Sequence, residues 1–165
     1  MQQTIQLLES IVSRVGKLVS WLSLLLIVII VIDVFLRYTF NITSSASFEI
    51  EWHLFGMLFL LSAGWAFQND KHVRVDVFYQ NFSEKTKAVV NLLGTIVLLL
   101  PLCYIGFVES TQFTIASYQI GETSPDPGGL PGRFIIKSMI PLGFFFLGLQ
   151  GIAVVLRSIK TLMIK

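Results

Sequence analysis

Four stretches of the chain are nearly free of charge: Leu18–Leu36, Trp52–Phe67, Ala88–Val108 and Phe134–Leu156. Crossing the hydrocarbon core of a bilayer takes about 20 mostly apolar residues in a helix. The pattern therefore predicts spans at about 18–36, 52–67, 88–108 and 134–156, the second of them short and extended by its flanks. The charged intrusions are single: Asp33 in the first run, and Lys137 in the fourth; Asn91 and Gln150 add scattered neutral polarity. Pro101 and Pro141 lie inside the third and fourth runs, where each removes one backbone donor and favours a bend. Ahead of the first run, Ile5, Leu8, Val12 and Val15 recur at helical spacing among Gln, Glu, Ser and Arg. That predicts an amphipathic helix over about 3–17, lying on the inner membrane surface or against a partner, in preference to a solvated extension of the span.

The connections have their own patterns. After the second run, Val73, Val75 and Val77 alternate with Arg74 and Asp76, a period of two that reads as a short extended segment with one apolar face. Ser83 is placed to cap a helix beginning at Glu84, and Ser47 to help start the second helix near Glu49. The stretch 109–133 reads as the longest loop. Phe113, Ile115, Tyr118 and Ile120 give it apolar content suited to the membrane or a partner. It ends in GETSPDPGGLPGR, where Ser124, Asp126 and Leu130 each precede a proline and are pushed away from helix. The expectation there is a defined, stiff turn.

Composition settles the class. With 54% hydrophobic and 13% charged residues, the chain cannot cover a soluble surface of its size. The fold class predicted is an all-α integral membrane protein, a single membrane domain over 1–165, with four transmembrane helices and amphipathic interfacial arms. The first apolar run exceeds the 7–15 residues of a signal-peptide core, so it reads as an uncleaved helix. Charge then orients the chain. With the N-terminus inside, nine of the twelve Lys and Arg residues fall on the inner segments, leaving Arg37, Arg133 and Lys137 outside. Under the positive-inside rule both termini face the cytoplasm.

Candidate chemistry is sparse. Asp33 and Arg37 stand four apart with the acid first, the favourable order for a helical ion pair. An unpaired Asp at the bilayer centre would cost about 2.5–3.5 kcal/mol, so pairing explains both residues better than a proton relay does. Glu49 and Glu51 are two apart, on different helix faces, and with Trp52 they mark the outer interface, as Trp65 marks the inner one. Cys103 is the lone cysteine and reads as a packing residue, with no disulfide and no thiolate metal site. The two histidines, His53 and His72, would be near 28 Å apart on a helix at about 1.5 Å per residue, too far to clamp one haem. Phosphate-loop, HExxH and GxSxG motifs are absent, and no span carries Gly-x-x-x-Gly, although Gly94, Gly106, Gly143, Gly148 and Gly151 offer sites of close approach. The residues thus describe a four-helix membrane subunit that is not an enzyme and has no transport path of its own. The competing class is a self-contained homo-oligomeric transporter or channel using Asp33 or Glu109.

Three motifs point further. RYTFN at Arg37–Asn41, SSASFEIEW at Ser44–Trp52 and HVRVDVFY at His72–Tyr79 resemble the small membrane subunit of tripartite ATP-independent periplasmic (TRAP) transporters. The segment SPDPGGLPGRFIIKSMIPLGF at Ser124–Phe144 is similar to the subgroup labelled mannitol/chloroaromatic type. The resemblance implies four transmembrane helices with arms along the bilayer of the bacterial inner membrane. It implies a scaffold role beside a large, elevator-type permease subunit that carries substrate and sodium. A periplasmic substrate-binding protein would deliver the solute, often an organic acid, and dock on the outer face. His72, Arg74 and Asp76 would then order the cytoplasmic connection at the subunit interface, and Asp126, Pro127 and Gly128 would help receive the binding protein. Membrane lipid is the remaining partner; no cofactor and no nucleic acid is expected.

Overall fold

The structure is a computed structural model that describes residues 1–69 and 82–163. The described residues are helical throughout, apart from the connections. Helix α1 runs from Gln2 to Phe40, α2 from Ser45 to Gln68, α3 from Glu84 to Gly94, α4 from Leu100 to Gln119, and α5 from Phe134 to Met163. A π-helical turn, Thr95–Leu99, joins α3 to α4, so these three segments make one continuous spanning element. Four helical elements are therefore long and apolar enough to cross a membrane.

The helices overrun the apolar windows on both sides. The amphipathic stretch 3–17 and the first span form a single unbroken helix of 39 residues. At about 1.5 Å per residue that is roughly 58 Å, well beyond a hydrocarbon core of about 30 Å. The apolar face of its first turns is covered by protein: Ile5 and Val12 are buried, and Gln68 Nε2 of α2 donates to the Glu9 carbonyl at 3.2 Å. The stretch 109–133 is likewise not all loop. Helix α4 continues to Gln119, because nothing in 109–119 interrupts it before Gly121, which takes the left-handed conformation at φ 59°. Phe113, Ile115 and Tyr118 are helical side chains, and the loop is confined to 120–133.

Helix ends follow side-chain chemistry. Ser83 caps α3, accepting from the Thr86 amide at 3.2 Å. Helix α2 is capped by Ser44, which accepts from the Ser47 amide; the cap lies three residues before the serine expected to start the helix. Helix α1 ends at Asn41 with φ 53°, a left-handed cap whose N–H bonds the Arg37 carbonyl at 3.1 Å. The π turn sits just before Pro101, where a widened turn accommodates the missing proline donor. The alternating Val73–Val77 segment, with His72, Arg74 and Asp76, lies outside the described residues.

Helix α5 is the centre of the assembly and packs against α1, α2, α3 and α4. Helices α1 and α2 pair on one side of it, and the α3–α4 element lies on the other. Two glycines set the tightest crossing. A Cβ on Gly64 would lie 2.8 Å from the Phe146 carbonyl oxygen, and one on Gly143 would lie 2.9 Å from that of Leu60. The α2 and α5 backbones thus touch, as small residues allow in membrane bundles. Gly16 is pressed against Trp65, and Gly106 against the Phe144 ring, whereas Gly94 faces open space. The surface left over is apolar: Leu24, Ile27, Val28 and Val31 of α1 and Val97, Leu98, Leu102 and Ile105 of the α3–α4 element are all exposed. Side chains of this kind in this density belong in hydrocarbon or against another apolar surface.

Candidate functional site

The bundle has a loop end, where 120–133 crosses between α4 and α5, and a terminal end, where the first turns of α1 meet the last turns of α5. Polar side chains that converge are concentrated at these two ends.

Glu49 organises the loop end. It lies in the second turn of α2 and is buried to 2% exposure. Its Oε2 accepts the Leu130 amide at 2.7 Å. Its Oε1 accepts from the Ser124 hydroxyl and from the Arg133 guanidinium at 3.3 Å. One carboxylate thereby holds three points of the loop. A buried charge is tolerable when paired and hydrogen-bonded in this way. Arg133 also lies over the Trp52 ring, 5.7 Å from its centroid. Gly129 is required at the seat: a Cβ there would be 2.4 Å from Ser124 Oγ and 3.0 Å from Glu49 Oε1.

The loop also closes on itself. The Ser124 amide donates to the Leu130 carbonyl at 3.1 Å, Gly129 to Asp126 at 3.0 Å, and Arg133 to Glu122 at 3.0 Å. The Asp126 amide donates to Ser124 Oγ at 3.1 Å. Gly128 and Gly132 take φ of 77° and 73°, conformations that side chains resist. Glu122 pairs with Lys137 in the first turn of α5, and the Lys137 ammonium lies 3.9 Å from the Phe113 ring centroid. The hydrogen bond from Lys137 holds the Glu122 carboxyl below its ordinary pKa of 4.5.

Beside this platform Asp33 pairs with Arg37. Asp33 is 6% exposed, whereas the Arg37 side chain is nearly half exposed. Both line a cavity of about 370 Å³ together with Thr43, Ser44, Ser45, Phe48 and Asp126. The structure thus brings together two groups of residues that the sequence presents as separate, the ion pair of α1 and the proline-rich loop. Glu51 is not part of this arrangement; its Oε1 is covered and finds no hydrogen-bond partner among the described residues. Among the described residues, no three His, Cys, Asp or Glu side chains converge as a metal site would require.

Sequence reasoning places Glu49 at the interface and misses what it does. The signal was present in part: a carboxylate in an apolar context, with Arg133 as a cation left on the same side. What no pattern could supply is the pairing across 84 positions of sequence.

Among the described residues, the terminal end is tied by two polar contacts between α1 and α5. Arg157 pairs with Glu9, and Lys160 donates to the Gln2 side chain at 2.7 Å.

The family model described as DctQ, the DctQ component of tripartite ATP-independent periplasmic transporters, matches residues 26–161. No curated protein and no solved structure matches the chain.

Proposed function

The chain belongs to the DctQ-component family of the tripartite ATP-independent periplasmic transporters, and on that premise we propose how this small component works. It is a non-catalytic scaffold. It braces the large permease subunit through its exposed apolar faces and presents the 120–133 platform to the periplasmic substrate-binding protein. Substrate and sodium are handled by the large subunit, which moves as an elevator against this fixed partner. The solute is an organic acid or similar small molecule. The loop end is periplasmic, the termini are cytoplasmic, and the membrane is the bacterial inner membrane. Ser124–Phe144 further supports the mannitol/chloroaromatic-type subgroup, a label that does not name the substrate. His72, Arg74 and Asp76 belong on this reading to the cytoplasmic contact with the large subunit.

The observation that carries the docking role is Glu49. A plain connector between two helices has no need of a buried carboxylate that gathers Ser124, Leu130 and Arg133. Such a seat pre-organises a surface, and pre-organisation lowers the ordering cost of binding. Asp126, Pro127 and Gly128 lie at the exposed tip of that surface.

The test is recovery of the tagged chain from its native membranes in mild detergent, with its companions identified by mass. A stoichiometric partner of about twelve hydrophobic spans is expected. Recovery as a stable homo-oligomer alone would instead favour a self-contained transporter and turn attention to Asp33. The docking role is tested separately by replacing Pro125–Gly132 with a flexible linker. Uptake should fall while the large subunit still co-purifies; normal uptake would remove the docking role.

A further inference from the structure

The terminal end contains a polar cleft that the scaffold role does not use. Its volume is about 340 Å³, and it opens between α2, α3 and α5. From α5 it is lined by Gln150, Val154, Arg157 and Ser158, which follow one helix face; from α3, Glu84 and Lys87 face them. Gln150 is the deepest polar group. It lies seven residues before Arg157, about 10 Å farther along the helix axis. Its side chain is fully buried, at 0% exposure. Neither its Nε2 nor its Oε1 finds a hydrogen-bond partner among the described residues. Gln68, also on the cleft wall, has its Oε1 buried without a partner among the described residues.

An unsatisfied primary amide at that depth calls for an occupant, because buried polar groups are almost always paired with protein or ordered water. The charges identify it. Among the described residues, Lys87 is paired with Glu84 at 3.1 Å and Arg157 with Glu9, so each of these two cations already has a carboxylate. What remains inside is neutral demand, a donor and acceptors at once. Water supplies both, and the space suffices for several molecules at about 30 Å³ each. We propose that the cleft between α3 and α5 holds a resident cluster of ordered water, hydrogen-bonded to the Gln150 amide and the Gln68 carbonyl, which hydrates the bundle from its terminal end into the apolar span.

Radiolytic hydroxyl labelling of the purified protein, with whatever subunits accompany it, reads this directly. The probe is water itself, exchanged for its oxygen-18 form. A Val154→Met reporter places a reactive thioether on the cleft wall one turn from Gln150, and native Met57, in the middle of α2, serves as the control. The reporter should be oxidised several-fold more than Met57, with slow oxygen-18 incorporation, and Gln150→Leu should abolish the difference. Labelling of the reporter no higher than Met57 would overturn the proposal. A second reading needs no reporter. If the amide is satisfied by water, Gln150→Leu will not raise the thermal midpoint of the otherwise native protein. If the cleft is dry, removing an unpaired amide raises it, and the proposal fails. A phospholipid retained through purification, and lost on both Arg157→Gln and Gln150→Leu, would also overturn it by giving the site to a headgroup.

Discussion

The weight carried by Glu49 can be separated from that of its neighbour. Glu49→Gln keeps the size of the side chain but removes the charge that holds Arg133 and strengthens the bonds from Ser124 and Leu130. The Leu130 amide should then exchange with solvent markedly faster, and proteolysis within 120–133 should rise. Glu51→Gln, which touches none of these groups, should leave both readings unchanged. Gly129→Ala should mimic Glu49→Gln by pushing Ser124 off the carboxylate. Acid should act at Glu122. Its pKa is lower in the folded protein than the ordinary value of 4.5, mainly through the Lys137 hydrogen bond. The bound form is therefore the ionised one. Its stabilisation is present in full above the ordinary value and fades as pH falls through the lower, folded one. A Glu122→Gln variant should be less stable than the parent at pH 7, and the gap should close under strong acid. A gap constant with pH would detach the effect from this ion pair.

At the scale of elements, the α2–α5 crossing is the most sensitive joint. Gly143→Leu would drive a side chain into the Leu60 carbonyl. Overpacking of this kind typically costs about 1–3 kcal/mol, and more where backbone must move. Folded yield and thermal midpoint should both fall sharply. Gly94→Ala is the contrasting case. Its added methyl meets nothing within 4 Å, and removing a helical glycine is favourable by up to about 1 kcal/mol, so stability should hold or rise. These joints also mark where sequence becomes hard to read. The four spans were legible because a run of apolar residues needs no tertiary information. Helix ends were not. Residues 3–17 and 109–119 look like an arm and a loop because their polarity changes, yet the backbone hydrogen bonds continue through both. Gly143 was named as a point of close approach, but its partner was not, since nothing in a single chain reveals that Leu60 lies opposite. The Asp33–Arg37 pair could be read because it is local; the seat of Glu49 could not, because its contacts are 75 to 84 positions away.

For the molecule as a whole, the question is which end faces which compartment. The excess of Lys and Arg on one side predicts the loop end outside and the termini inside. Reporter-enzyme fusions at Pro127 and Lys165 check it: Lys165 should report cytoplasmic and Pro127 periplasmic. A cytoplasmic signal at Pro127 would invert the platform and leave no face for a periplasmic partner. The same view places the hydrated cleft and the loop platform at opposite ends of one bundle, so changes at Gln150 and at Glu49 should be additive in their effects on stability.

The central position of α5 has a consequence in time as well as in space. It is made after the helices it packs against, so during synthesis α1–α2 and the α3–α4 element enter the bilayer before the helix that contacts both is present. At about 5–20 residues per second, the 30 residues of α5 take a few seconds to appear. For that interval the nascent chain is one helical hairpin, α1–α2, and one further span, α3–α4, with the faces around Gly64 and Gly106 open to lipid. A membrane protease that acts on unassembled helices would meet the chain in that window. A chain truncated before residue 134 and released into the membrane should therefore be degraded far faster than the full chain.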